Sequence, residues 1–243
     1  MQASFADPSA PAIPLYLLAE DQLGGWLDRQ PDRVKAWVAA NSFTAAIGQA
    51  LAIPGDDGAP VMAVAGYGSA KSRSRGRFHL AAAAPKLPKG TYRLEADLTE
   101  DMLSVETLGW LLSSYRFDRY ASQNAPGPEL IAPEGVDPDK LLALANGEML
   151  TRDLINTPAS DMGPPDLEKA AQDLADRHGA QMVTITGEEL LNHNFPMIHA
   201  VGRAADRAPR LIDIKWGSSG KKLTLVGKGV CFDTGGLNLK PGA

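Results

Sequence analysis

Residues 226–243, VGKGVCFDTGGLNLKPGA, combine two lysines and one aspartate with five glycines. The apolar run just before them, KLTLVG at 222–227, predicts a strand whose carboxyl end delivers Lys228. In open α/β sheets, ligands usually bind at the carboxyl ends of strands. The glycines beside Lys228 and Asp233 remove side chains, so that backbone or a ligand can approach closely. The segment is therefore a candidate reaction site built on charged side chains.

Generic motifs do not account for this segment. A phosphate-binding loop needs G-x-x-x-x-G-K followed by Ser or Thr, whereas Gly229 follows Lys228. The stretch AGYGSAK (65–71) has only two of the three glycines of a dinucleotide fingerprint, and WGSSGK (216–221) does not match G-x-S-x-G. The sequence thus indicates neither a nucleotide-phosphate loop nor a serine-hydrolase elbow.

A family pattern does fit the segment. VGKGVCFDTGGLNLKP resembles the signature of the leucine aminopeptidases, the two-metal cytosolic aminopeptidases. Other stretches resemble that family in the same order along the chain, namely LLSSYRFDRY (111–120), RDLINTPASDMGP (152–164) and HAVGRAADRAPRLIDIKW (199–216). The resemblance extends from about residue 100 onward, whereas the first hundred residues match only in general character.

The resemblance implies roles for three residues. Lys228 would be a ligand of one metal ion, Asp233 would bind both ions, and Lys240 would be a catalytic group that binds no metal. A divalent cation opposes the ammonium form of a lysine, and a carboxylate can bridge two ions about 3.5–4 Å apart. A charged Lys240 would polarise the scissile carbonyl and stabilise the developing oxyanion. The implied cofactors are two divalent ions, Mn²⁺ or Zn²⁺, and the implied reaction removes leucine-like residues from the N-terminus of peptides.

Hydrophobic periodicity predicts an α/β protein of two domains, each a sheet flanked by helices. The apolar runs at 13–19 and 60–68 predict buried strands, and residues 100–117 repeat apolar side chains at helical spacing. Further strands are predicted at 91–96, 182–186 and 210–216, and further helices at 30–43 and 167–179.

Residues 121–138 contain four prolines and two glycines, which is typical of a domain boundary. Asp137 followed by Pro138 predicts a helix start, and we expect this helix to join the two domains. We therefore predict an N-terminal α/β domain at 1–135. Residues 136–243 would hold the interdomain helix and the first part of a metallo-aminopeptidase catalytic domain.

Composition limits the partners. Lys and Arg total 24 against 29 Asp and Glu, a net charge of −5, so broad attraction to nucleic acid or an anionic membrane is not expected. No apolar stretch approaches the ~20 residues of a membrane span. The single cysteine, Cys231, excludes an internal disulfide and fits a reducing compartment. We interpret Cys231 as a packing residue and expect a cytoplasmic protein without membrane partners.

Members of the family continue past this point through a second aspartate and an Asn-Thr-Asp-Ala-Glu-Gly-Arg motif. We therefore expect a truncated chain with an incomplete catalytic domain, which binds metal weakly and is inactive as this fragment. The resemblance also implies a hexameric homo-oligomer. The alternative is a catalytically dead binding or scaffold module, possibly contacting DNA through KSRSRGR (71–77). A nucleotide-binding N-terminal domain is a third class, which rests only on the α/β pattern.

Overall fold

The computed structural model describes residues 2–122 and 127–232. The chain divides into two units, residues 1–152 and 153–243. This division falls inside the helix Pro138–Asn156, the helix that we predict to join the domains. The predicted boundary after residue 135 stays a prediction.

A five-stranded sheet forms the centre of the first unit, in the order β2-β3-β1-β4-β5. The middle strand β1 runs parallel to β3 on one edge and to β4 on the other. Strand β2 is antiparallel to β3, whereas β5 is parallel to β4. The strands are β1 Ile13–Ala19, β2 Ala50–Pro54, β3 Pro60–Gly68, β4 Thr91–Glu95 and β5 Glu129–Leu130.

Both faces of β1 are covered, as its uninterrupted apolar sequence predicts. Leu15 and Leu17 pack on one face in a cluster that includes Trp110. Leu18 points to the opposite face, where it packs in a cluster with Trp26. Because successive side chains of a strand alternate between faces, this single strand contributes to two cores.

Helices accompany the sheet of the first unit, and the last of them continues past residue 152, where the unit ends. They are α1 Leu23–Asp28, α2 Asp32–Ala40, α3 Ala70–Arg73, α4 Glu100–Ser113 and α5 Pro138–Asn156, with 3₁₀ turns at Leu80–Ala82 and Ala84–Lys86. The predicted start of α5 is confirmed, because the Lys140 N–H donates to Asp137 Oδ1 at 3.1 Å. Within residues 2–122 and 127–232, no helix is both long and apolar enough to cross a membrane.

A buried carboxylate ties α4 to the 3₁₀ turns. Glu106 is 2% exposed, and its Oε2 accepts a hydrogen bond from the Leu80 N–H at 2.8 Å. Its Oε1 lies 3.1 Å from His79 Nδ1. Since a buried acceptor without a partner is costly, these contacts fix the position of α4 over the sheet.

The second unit contains a two-stranded antiparallel sheet, β6 Gln181–Thr186 and β7 Arg210–Lys215. Its helices are α6 Pro164–His178, α7 Glu189–Asn192 and α8 Pro196–Gly202. Helix α6 starts three residues before the predicted start and ends as predicted, because Gly179 adopts a left-handed conformation with φ of 63°.

The predicted strands at 13–19, 60–68, 91–96, 182–186 and 210–216 are confirmed to within one residue. The predicted strand at 222–227 is wrong, since this segment has no regular secondary structure. Leu223, Leu225 and Val226 are 83%, 86% and 93% exposed. None of the described residues pairs with this segment, and an extended segment without a hydrogen-bonded neighbour is not a strand.

We predict that Gly66→Ala destabilises the first unit by about 1–3 kcal/mol, because a Cβ atom there would overlap the backbone carbonyl of Ala46. The matched control is Gly24→Ala in α1, where a Cβ atom meets nothing within 4 Å. That change should stabilise the helix by about 0.5–1 kcal/mol. Urea unfolding measures both, and equal free energies of unfolding for the two variants would contradict the packing of β3 described here.

Candidate functional site

Lys228 lies in an exposed segment without regular secondary structure, residues 217–230. Asp233 and Lys240 lie outside the described residues. The placement of Lys228 at the tip of a regular strand is wrong, since that strand does not form. The roles assigned to Lys228, Asp233 and Lys240 stay predictions.

The residues after Lys228 run beside the first turns of α6. A Cβ atom added at Gly229 would lie 3.1 Å from Leu167 Cδ2, which is closer than ordinary van der Waals contact. Cys231 is a free cysteine of intermediate burial. Gly229 therefore lies close to Leu167 of α6, with no room for a larger side chain unless Leu167 shifts.

The groups that surround Cys231 shift the pKa of its thiol. Burial raises the pKa of the Cys231 thiol, and the carboxylate of Asp166 raises it further. The guanidinium groups of Arg210 and Arg207 oppose this rise in pKa. A raised thiol pKa lowers the thiolate fraction near neutral pH, which agrees with a packing role for Cys231.

Asp166 and Arg207 fix the start of α6. Asp166 Oδ2 accepts hydrogen bonds from the Gly163 N–H at 3.0 Å and from Arg207 Nη1 at 3.1 Å. Arg207 Nη2 donates to the Ser160 carbonyl at 2.5 Å. The single guanidinium thus links the loop before α6 to the first turn of that helix.

Gly163 leaves the space that this arrangement needs. A Cβ atom at position 163 would overlap the side chain of Arg207. The backbone at Gly163 is extended, with φ of −85° and ψ of −177°, so the observed position of Arg207, and not backbone strain, favours glycine here.

A second ion pair joins β7 to α6. Arg210 Nη1 contacts the carboxylate of Glu168, and the Arg210 side chain is 12% exposed. Arg210 Nε and Nη2 also donate to the Ala208 carbonyl, at 3.3 and 3.1 Å. A charge buried to this degree is stabilised by such pairing, so the first residue of β7 is held against the helix.

No role is predicted from the sequence for Asp166, Arg207 or Arg210. For Asp166 a signal exists, because it stands three residues after Gly163 at the start of a helix, where an acidic side chain can bond back to the backbone. For the arginines no local signal exists, since their partners lie about forty residues earlier in the chain.

The described residues do not form a metal centre by themselves. Among residues 2–122 and 127–232, no group of three or more His, Cys, Asp and Glu could hold a metal ion. The amine of Lys228 is the described candidate ligand, and it makes no hydrogen bond or ion pair with another described residue.

Two sequence profiles of one protein family match the chain. The profile described as "Cytosol aminopeptidase family, catalytic domain" matches residues 149–243. The profile described as "M17 aminopeptidase, N-terminal domain" matches residues 13–133. The two matches follow one another in the order N-terminal domain, then catalytic domain.

Individual proteins agree with the profiles. A probable cytosol aminopeptidase of Corynebacterium efficiens is 34% identical over 229 residues, which cover 88% of this chain and 44% of that protein. The crystal structure of a cytosol aminopeptidase from Coxiella burnetii is 31% identical with a TM-score of 0.79, over 87% of this chain and 46% of that one. The bottromycin maturation enzyme BotP in complex with Mn is 26% identical with a TM-score of 0.65, over 84% and 45%. The chain thus spans less than half the length of these relatives.

We predict that Arg207→Ala lowers the stability of the second unit by about 1 kcal/mol, since the pair with Asp166 is partly exposed and the Ser160 carbonyl loses a donor. Amide hydrogen exchange at residues 160–166 should accelerate. The matched control is Lys169→Ala, which removes the exposed pair with Asp173 on the same helix and should leave exchange at 160–166 unchanged. Equal exchange in both variants would show that Arg207 does not hold this loop.

Proposed function

The chain belongs to the M17 cytosol aminopeptidase family, and on that premise we propose that the protein containing it is a metal-dependent aminopeptidase. It would remove leucine-like residues from the N-terminus of peptides. The observation that carries this proposal is the pair of consecutive family matches, N-terminal domain at 13–133 and catalytic domain at 149–243. The activity is proposed for the whole protein, because the chain spans 44% of the length of the Corynebacterium relative.

We assign residues 1–135 to the N-terminal domain and residues 136–243 to the interdomain helix and the first part of the catalytic domain. The gap between the two family matches, residues 134–148, supports a boundary near this point.

Lys228 and Asp233 are proposed as metal ligands. The Mn complex of BotP supports a metal site in a relative, and the cofactors proposed here are two divalent ions, Mn²⁺ or Zn²⁺. Such a pair of ions supplies a hydroxide nucleophile near neutral pH when bound. Among the described residues, none forms a hydrogen bond or ion pair with the amine of Lys228, which leaves its nitrogen available to an ion.

Lys240 is proposed as the catalytic group that acts on the substrate. Its ammonium would donate to the oxygen of the scissile carbonyl and stabilise the negative charge that develops there. A donor placed at such an oxygen contributes about 3 kcal/mol to lowering the barrier.

Membership of the family supports proposals for the partners and the location. We propose peptides as substrates, a homo-oligomeric hexamer as the assembly and the cytoplasm as the location. The relatives are named cytosol aminopeptidases, which supports the last of these.

The scaffold alternative has less support from the described residues. Arg73, in the middle of the KSRSRGR run, donates through Nη1 to the carbonyls of Tyr67 and Gly68 at 3.2 and 2.7 Å. Its guanidinium also lies 4.4 Å from the centroid of the Tyr67 ring. The Nη1 of this arginine is therefore bonded within its own domain, which makes Arg73 less available to the basic run as a phosphate-binding surface.

The proposal predicts chelator-sensitive hydrolysis of leucine p-nitroanilide by the protein that contains this chain. Lys240→Ala should lower kcat by about 10²–10³ and leave Mn²⁺ binding unchanged, because a lost oxyanion donor acts on the transition state. Lys228→Ala should weaken Mn²⁺ binding, since it removes a ligand. The matched control is Lys222→Ala, an exposed lysine in the same segment, which should change neither quantity.

Activity that survives a chelator, or equal kcat for Lys240→Ala and Lys222→Ala, would contradict the proposed chemistry. A salt-sensitive DNA gel shift that is lost on charge reversal at Arg73 and Arg75, without any peptidase activity, would support the scaffold instead.

A further inference from the structure

A cleft lies at the carboxyl ends of β1, β3 and β4 in the first unit. One cavity of about 310 Å³ is lined by residues that include Tyr67, Arg73 and Asp97. An adjoining cavity of about 390 Å³ shares Asp97 and adds residues that include Trp26 and Glu95. We call the two together the β1 cleft.

The topology of the sheet places this cleft where ligands bind in parallel sheets. From β1 the chain passes to β2 and β3 on one side and later returns to β4 on the other side. At such a switch point the loops diverge and leave a crevice outside the strand ends. The β1 cleft occupies this position, so the architecture alone makes it a candidate binding site.

Arg73 gives the cleft a fixed positive group. Its Nη1 donates to the carbonyls of Tyr67 and Gly68, and the guanidinium lies against the Tyr67 ring. These contacts hold the side chain in one position. Its Nε and Nη2 make no hydrogen bond with a described residue, and no described carboxylate pairs with it. A planar guanidinium with free donors is suited to a carboxylate.

Acidic groups line the same cleft. Asp97, which follows β4, is exposed and makes no hydrogen bond or ion pair with a described residue. Glu95 and Arg29 line the second cavity and are likewise unpaired among the described residues. The cleft therefore presents two guanidinium groups and two carboxylates that form no ion pairs with one another.

Apolar side chains form the wall between these charges. Leu17, Leu98 and Met102 line the first cavity. Trp26, which lines the second, is 4% exposed, and its indole N–H has no hydrogen-bond partner among the described residues. These side chains give the cleft an apolar surface between its charged groups.

We propose that the β1 cleft binds a zwitterionic ligand, an α-amino acid or short peptide with an apolar side chain. The ligand carboxylate contacts Arg73, its ammonium contacts Asp97, and its side chain packs on the wall formed by Leu17, Leu98 and Met102. The proposal uses residues of the first unit only and does not depend on the proposed peptidase chemistry.

The charges disfavour a nucleotide in this cleft. A nucleotide carries several negative charges, which the carboxylates of Glu95 and Asp97 would repel. A zwitterion instead satisfies both signs of charge within one small molecule.

Isothermal titration calorimetry on the 243-residue chain, in buffer with a chelator, tests the proposal with four probes. L-leucine should bind with saturation at millimolar concentration. N-acetyl-L-leucine, which lacks the ammonium, and L-leucinamide, which lacks the carboxylate, should each bind about tenfold more weakly. AMP should not compete with leucine.

Asp97→Asn should weaken leucine binding about tenfold and should not weaken the binding of N-acetyl-L-leucine, because only the contact to the ammonium is lost. Asp97→Glu should restore most of the affinity. The matched control is Asp28→Asn, an exposed carboxylate at the end of α1 that does not line the cleft and should have no effect. A circular dichroism melt verifies that each variant is folded.

Three results would overturn the proposal. These are the absence of saturable leucine binding, equal affinity for leucine and its two one-charge analogues, and an equal effect of Asp97→Asn and Asp28→Asn. Displacement of leucine by AMP would assign the cleft to nucleotides instead.

Discussion

The hydrogen-bonded pairing of β1 on both of its edges is the constraint on which the first unit depends. Parallel partners on either side satisfy the backbone of β1, so its side chains can be wholly apolar and contribute to a core on each face. The same pairing brings the carboxyl ends of β1, β3 and β4 together and creates the β1 cleft. Where no partner is present among the described residues, as at 222–227, a run that includes Leu223, Leu225 and Val226 stays without regular structure.

The local sequence pattern predicts the elements whose own residues repeat at the spacing of a buried strand or helix. The apolar run of β1, the helical spacing of α4 and the Asp137–Pro138 start of α5 were each predicted at or near the observed position. Strand β5 was missed because two residues carry no periodicity, and its pairing with β4 depends on residues more than thirty positions earlier. The strand predicted at 222–227 is wrong because a run of apolar residues indicates only that a segment can be buried. It does not indicate that a neighbouring strand is present to pair with that segment.

The candidate site, like the fold, was only partly predictable from the sequence. The chemistry of Lys228, Asp233 and Lys240 was inferred from residue types in a family pattern, and the family itself is confirmed. The ion pair that holds the start of α6 is not visible in the sequence, because Asp166 and Arg207 are 41 positions apart. Charged side chains that organise a loop through such long-range contacts have no spacing rule that a single sequence reveals.

The central claim is that Lys228 and Asp233 together bind divalent cations in the protein that contains this chain. Anomalous diffraction at the manganese edge, from crystals of that protein soaked in Mn²⁺, tests it most directly. We expect anomalous peaks bonded to the Lys228 amine and to both oxygens of the Asp233 carboxylate. Peaks elsewhere, with these two side chains turned away from every ion, would contradict the account.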